Sequence, residues 1–154
     1  CHLDPDAGEA LRAAARAHPL RRWVVPRDSY PEGRAGYLRW RRDQKQRHAA
    51  ELTEILRDCG FAEATVARAA TIVTKTGLGR DPEVQTFEDA VSLTFLQTQF
   101  SSTADRLDDD DKIVEVVVKT LGKMSPAGHV AARTVALDDR SADLLARAVD
   151  AVGS

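Results

Sequence analysis

Aromatic side chains are scarce in this sequence: two Trp, two Tyr and four Phe make up 5% of 154 residues. The hydrophobic fraction, 43%, is dominated by Ala, Leu and Val, a mixture that favours helices. Cysteine is nearly missing as well. Two thiols, Cys1 and Cys59, exclude a disulfide framework in a chain of this size and fit a reducing, cytoplasmic setting. There is no apolar run of 18 residues, so no membrane span is expected, and no signal-peptide pattern. A glycine-rich phosphate loop is lacking too. Gly77-Leu-Gly79 has neither the strand, the third glycine nor the helix that such a loop needs. No internal repeat or low-complexity tract is present. What remains is a chain long enough for one domain with a real core, expected to span residues 1–154. It opens on Cys1 rather than Met, which leads us to expect a chain that lacks an N-terminal segment.

The charge is small in total but unevenly placed. Net charge is −2, yet residues 12–47 carry eleven Lys/Arg against three acids, Asp28, Glu32 and Asp43, a local balance of +8. Such asymmetry implies an anion-binding segment, or a bipolar molecule whose basic block pairs with its acidic remainder.

The longest periodic stretch runs from Arg34 to Cys59 and reads as one amphipathic helix stopped by Gly60. Leu38, Arg41, Lys45, His48, Leu52, Ile55 and Cys59 recur at three- and four-residue spacing and are assigned to one face. Its first half carries charge where aliphatics would continue a core. Arg41, Lys45 and His48 are therefore expected to meet a pocket or an anion, or else to project beyond the core into water. Upstream, Ala7 to Ala17 is helical, with Leu11, Ala14, Ala15 and His18 on a face, and Pro19 ends it. Residues 20–36 form an irregular segment with two prolines, four arginines, Trp23 and Tyr30. Downstream, helices are expected at Glu63–Lys75, Thr86–Phe100, Lys112–Met124 and Ala142–Val152, with a short one within Ser125–Leu137. Ser101–Asp111 reads as polar connection, its Asp108–Asp111 run solvated. The fold class is all-α, a bundle of about five to seven helices.

Two constellations carry chemistry. His18, His48 and Asp89 lie on or beside apolar faces of three helices, and two imidazoles with a carboxylate are ligand types for a divalent metal. The structural readings are a helix C-terminal cation for His18, a satisfied core histidine for His48, and a capping box Thr86-Phe-Glu-Asp89. The second is the arginine-rich loop. Arg21, Arg22, Arg27 and Arg34, with Arg41 and Lys45, supply bidentate donors for phosphate or carboxylate, and Trp23, Tyr30, Tyr37 and Trp40 supply stacking faces. Against this stands internal pairing with the acidic part of the chain. Cys59 reads as core.

Ala14-Ala-Arg-Ala-His18, Arg21-Arg-Trp23, Pro26-Arg-Asp-Ser-Tyr30-Pro, Arg34-Ala-Gly-Tyr-Leu-Arg-Trp-Arg41, Lys45, His48-Ala and Asp81-Pro-Glu-Val-Gln-Thr-Phe-Glu-Asp89 together resemble a family of uncharacterised bacterial and fungal proteins. That family is catalogued as a domain of unknown function, and some members are labelled glutamyl-tRNA synthetase. No synthetase nucleotide motif accompanies the likeness here. More distantly, the order of His18, the His48 helix, the helix ending at Lys75 and the Thr86–Leu93 helix is similar to the helical metal-dependent phosphohydrolases of the HD superfamily. The chain departs from that superfamily at its His-Asp pair, which reads His18-Pro19. The resemblance implies a metal-dependent phosphohydrolase acting on a phosphorylated small molecule or nucleotide. His18, His48 and Asp89 would hold Mn, Fe or Mg, His48 and Asp89 would be catalytic, and Arg21, Arg22, Arg27, Tyr30, Arg34, Arg41, Lys45 and Lys75 would bind substrate. The alternatives are a degenerate HD-like domain that binds an anion or nucleotide without catalysis, and an RNA- or protein-binding module using residues 12–47.

Overall fold

The computed structural model describes residues 3–18, 20–107 and 109–153. Cys1, His2, Pro19, Asp108 and Ser154 lie outside the described residues, and with them the Pro19 position of the His-Pro pair and the first member of the acidic run. Among the described residues there are eight α-helices, two short 3₁₀ turns and no strand. The helices are α1 (Glu9–Ala17), α2 (Gly33–Asp58), α3 (Glu63–Thr74), α4 (Pro82–Thr98), α5 (Phe100–Leu107), α6 (Asp110–Leu121), α7 (Pro126–Ala132) and α8 (Asp139–Gly153). The all-α class is as expected. The extra helix is α5, in the stretch read as polar connection: Phe100 and Ala104, four residues apart, are buried and fix it. No helix among the described residues is long and apolar enough to cross a membrane.

The chain divides into two compact units. One is Asp6–Phe87, and the other begins at Glu88 and also takes in residues 3–5.

In the first unit α3 packs on α2 and on α1. The facing surfaces are small: Ala10, Ala14 and Ala17 of α1 and Ala69 of α3 are buried, which lets the backbones approach closely. Val66, Ile72 and Val73 of α3, Leu52 and Leu56 of α2 and Phe87 of α4 supply the larger apolar groups. Ala15, expected on the inward face of α1, is exposed, because the buried row runs Ala10, Leu11, Ala14, Ala17 instead. His18 is extended (φ −81°, ψ 115°), as a residue preceding proline should be. α2 ends as expected at Gly60. The Gly60 amide bonds to the Arg57 carbonyl and the Phe61 amide to the Leu56 carbonyl, a Schellman closure.

α4 starts four residues before the expected Thr86. Asp81 is its cap, its Oδ1 accepting from the amides of Glu83 (3.1 Å) and Val84 (3.2 Å), with Pro82 at the first helical position. The capping box Thr86–Asp89 therefore does not exist; those residues are mid-helix. Arg68 of α3 grips Asp81 through both terminal nitrogens (2.6 and 2.7 Å) and bonds Glu83 as well (2.6 Å).

In the second unit α6 packs against α8 and α5. Leu96, Phe100, Ala104, Ile113, Val117, Leu121, Met124, Ala132, Leu144, Leu145 and Ala148 form its core. The β-branched run of α6 is accommodated by helix spacing, with Ile113, Val117 and Leu121 inward and Val116 out. α8 starts three residues before the expected Ala142 and is capped by Asp138, which accepts from the Ser141 amide (2.9 Å) and hydroxyl (2.8 Å). The acidic run is partly paired rather than simply solvated. Asp109 caps α6, Asp110 meets Arg140 and Asp111 meets Arg147, each pair at 2.7 Å. Asp89, buried, accepts from the amide (2.9 Å) and the hydroxyl (2.5 Å) of Ser125, which in turn caps α7 through Gly128. A Cβ on Gly128 would lie 2.8 Å from the Asp89 carboxyl carbon.

Two outcomes follow for stability. Gly128→Ala forces backbone and carboxylate apart and should lower unfolding free energy by about 1–3 kcal/mol in urea titration. Arg68 beside Asp81 holds that carboxyl down at about 2, below its ordinary 3.8. A carboxyl depressed on folding contributes stability that is present above about pH 4 and lost as pH falls towards 2. In Asp81→Asn the melting temperature should start lower at pH 7 and fall less steeply between pH 4 and 2.

Candidate functional site

The expected site residues other than Asp89 all belong to the Asp6–Phe87 unit, and α2 organises them. Its buried row is Gly36, Trp40, Gln44, His48, Leu52 and Leu56, a strict four-residue spacing, with Ala49 beside it. This differs from the expected face. Leu38 (53% exposed), Arg41, Ile55 (46%) and Cys59 face solvent, and Lys45 is half-buried. Trp40 decides the register. It is the largest apolar side chain on the helix, and burying it rotates Leu38 and Arg41 outward.

The row holds down the irregular segment through that segment's own carbonyls. Trp40 Nε1 donates to the Val25 carbonyl (3.0 Å). Gln44 Nε2 donates to the Val25 carbonyl (2.7 Å) and the Arg22 carbonyl (3.3 Å). Arg47 donates to the Arg21 carbonyl (2.9 Å), the Gln44 Oε1 (2.7 Å) and Glu51 (2.7 Å). Further along, Arg27 donates to the carbonyls of Tyr30 (3.1 Å), Pro31 (3.0 Å) and Gly33 (3.3 Å). The Tyr30 hydroxyl donates to Asp43 (3.0 Å). Gly36 lets this loop close on the helix, because a Cβ there would lie 1.9 Å from the Pro31 carbonyl oxygen. The segment is thus ordered largely through its carbonyls, with Arg27 and Tyr30 as the side chains that help to hold it, and the side chains of Arg21, Arg22 and Trp23 are left for other use.

Those side chains form a ladder. The Arg22 guanidinium lies 4.9 Å from the Trp40 ring, Trp40 stacks on Tyr37 at 6.1 Å, and Arg41 and Arg27 lie 5.7 and 6.0 Å from the Tyr37 ring. Trp23 is 77% exposed. Arg21 takes a left-handed backbone (φ 45°) that turns the chain so that its carbonyl meets Arg47. Arg21, Arg34 and Arg41 are exposed, without a carboxylate partner among the described residues. A cavity of about 690 Å³ is bordered by Pro26, Arg27, Asp28, Tyr30, Glu32 and Gly33. Its two acids, Asp28 and Glu32, make it a poor seat for an anion.

Of the remaining expected residues, His18 lies edge-on to the buried Phe87 ring (5.7 Å), and the Lys75 ammonium is 5.5 Å from the same ring. His48 is buried, and its Nε2 has no hydrogen-bond partner. Burial, together with the Arg47 charge, holds its pKa below the ordinary 6.5, against an opposing pull from Glu51. The neutral imidazole is the form this position accepts. Arg47 Nε and Glu51 Oε2 are likewise buried without partners.

The metal reading gains no support from this geometry. Among the described residues no group of three His, Cys, Asp or Glu side chains is arranged to hold a metal ion. Both oxygens of Asp89 already accept from Ser125, and His18 presents its edge to an aromatic ring. Gln44, Arg47 and Glu51 were not singled out in the sequence, although the four-residue spacing through Trp40, Gln44 and His48 was there to be fitted.

The family DUF4202, described as a domain of unknown function, matches residues 1–145. No curated protein and no solved structure matches the chain.

Removal of Gln44 tests the anchoring. Gln44→Ala removes the side-chain donor of the Arg22 carbonyl and leaves the Val25 carbonyl to Trp40 alone, at about 1–3 kcal/mol. Trypsin should then cut after Arg21, Arg22 or Arg27 at least several-fold faster than in the parent chain, while α3 and the second unit keep their protection from hydrogen exchange.

Proposed function

The chain belongs to the DUF4202 family, and we propose that its Asp6–Phe87 unit binds a phosphate-bearing ligand, of which nucleotides and sugar phosphates are the simplest probes, without hydrolysing it. The observation that carries this reading is the Arg22–Trp40–Tyr37–Arg41 ladder beside Arg21 and Arg34. Guanidinium groups without carboxylate partners keep their donors for phosphate oxygens, and their planar fork suits bidentate contact. Tyr37, 43% exposed beside Arg41, presents a face on which a base can stack, whereas Trp40 backs it from the interior. The anchored backbone reduces the entropy that an arginine loop would otherwise lose on binding.

The test is a melting-temperature screen with ADP, pyrophosphate and ribose 5-phosphate, with equal ionic strength of sodium chloride as control. At least one phosphate compound should raise Tm by several degrees. Arg41→Ala, which removes only an exposed side chain, should weaken binding roughly tenfold, as expected for a charged hydrogen bond of about 1.5–3 kcal/mol. No shift with any phosphate compound, or a shift that Arg41→Ala leaves intact, would sink the reading. Phosphoester turnover with added Mn²⁺, Fe²⁺ or Mg²⁺ that disappears in His48→Ala would replace it with the hydrolase.

A further inference from the structure

We infer that the ligand of this surface is a single-stranded polynucleotide rather than a mononucleotide, an inference that rests on the phosphate-binding reading above and narrows it. Two stacking platforms are present, not one. The first is Trp23, on the 3₁₀ turn Arg22–Val24. The turn is bracketed by the Arg22 and Val25 carbonyls that Gln44 holds, so the indole stands outward on anchored backbone with 77% of its surface in water. Arg21 and Arg22 precede it. The second platform is Tyr37, 43% exposed, with Leu38 beside it (53% exposed). Arg34 and Arg41 lie three residues before it and four after it, on the same outward stripe of α2.

Tyr37 has the Arg41 and Arg27 guanidiniums within about 6 Å of its ring, and Trp23 follows directly on two arginines, of which Arg22 reaches the Trp40 ring that stacks on Tyr37. A mononucleotide brings one base and one cluster of phosphate. The stripe from Arg34 to Arg41 alone runs about 10 Å along the helix axis, enough to meet more than one phosphate of a strand. Repeated aromatic faces along a basic track, open to solvent, are the design by which proteins hold unpaired strands with little sequence preference. The local balance of +8 over residues 12–47 supplies the complementary charge. Duplex gains nothing from the rings, since its bases are already stacked.

The experiment is fluorescence anisotropy with a labelled 12-nucleotide oligo-uridine, alongside a 12-base-pair RNA duplex, UMP, ADP and a poly-glutamate peptide as competitors. The oligomer should bind at least tenfold more tightly than UMP or ADP. Its affinity should fall with salt at a logarithmic slope of about −2 to −3, corresponding to three or four neutralised phosphates. Trp23→Ala should weaken oligomer binding about tenfold, in line with loss of one stacked base, and leave the melting temperature of the free protein unchanged. Arg34→Ala should weaken it and flatten the salt slope by about one unit. Three results would overturn the inference while leaving phosphate binding intact: ADP binding as tightly as the oligomer, duplex binding as tightly as the oligomer, or Trp23→Ala without effect. Competition by poly-glutamate at the oligomer's own affinity would overturn it in favour of an acidic protein partner. Failure of every phosphate compound to bind removes both readings together.

Discussion

The structure around the arginine-rich segment depends on side-chain donors from one helix reaching backbone acceptors of a loop. Within residues 20–25 the Arg21 carbonyl accepts from the Val24 amide, whereas those of Arg22 and Val25 are met by side chains of α2. Trp40 and Gln44 supply those donors, Arg47 adds a second donor to the Arg21 carbonyl, and Gln44 also accepts from Arg47. Because backbone oxygens are what is held, the side chains between them are excused from structural work. Arg21, Arg22 and Trp23 can therefore be charged, long and exposed on a segment that is nevertheless ordered. Had the loop been pinned by its own aliphatics, the same residues would have been drawn inward and the surface would carry no ligand chemistry.

That anchoring has a cost in the interior of the unit. α2 buries a glutamine and a histidine where a bundle helix would place leucine, and Arg47 Nε, His48 Nε2 and Glu51 Oε2 end without partners. A partly satisfied polar cluster is less favourable than an apolar one. His48 shows the strain electrostatically, since burial and the neighbouring Arg47 both oppose its protonation. The unit offsets this elsewhere. α1 and α3 meet through alanines, and Arg68 ties α3 to the start of α4 through two carboxylates. Polar groups inside the fold and apolar groups on its surface are then two sides of one arrangement: Trp40 takes the inward position, and Tyr37 and Leu38 are left outside.

Much of the fold was readable because its signals are local. Val66, Ala69 and Val73 at helical spacing define α3 by themselves, and Gly60 stops α2 by chain geometry. What was misread involved choices between competing local signals. α2 supports two faces, one through Leu38, Ile55 and Cys59 and one through Trp40, Gln44 and Leu56, and only the size of the indole selects the second. Thr86 and Asp81 are both good caps, and the Arg68 ion pair, which comes from a different helix, favours Asp81. α5 is hidden because six of its eight residues are polar or small and its identity rests on Phe100 and Ala104 finding a core. Site residues fared by the same rule. The arginines and aromatics were visible as a composition, but Gln44 and Arg47, which make the composition into a surface, look like ordinary polar helix residues until the loop is placed over them.

The question of whether the basic block is neutralised within the chain is answered residue by residue rather than by net charge. Asp110 and Asp111 are taken by Arg140 and Arg147, Asp81 and Glu83 by Arg68, Glu63 by Arg57, and Glu51 by Arg47. Each of these acids meets a base of its own unit outside the exposed stripe. Asp43 of α2 is shared between Tyr30 and Arg42. Exposed pairs of this kind contribute little stability individually, but they determine which cations remain. Arg21, Arg34 and Arg41 are left without a carboxylate among the described residues, and Arg41, like Arg22 and Arg27, lies beside a ring that stabilises a cation without cancelling it. A ring lowers the energy of a guanidinium and leaves its in-plane donors free, whereas a carboxylate would occupy them. The aromatic ladder thus orders Arg22 and Arg41 while keeping them competent for an anion, and all four Trp and Tyr residues of the chain stand within its basic stretch.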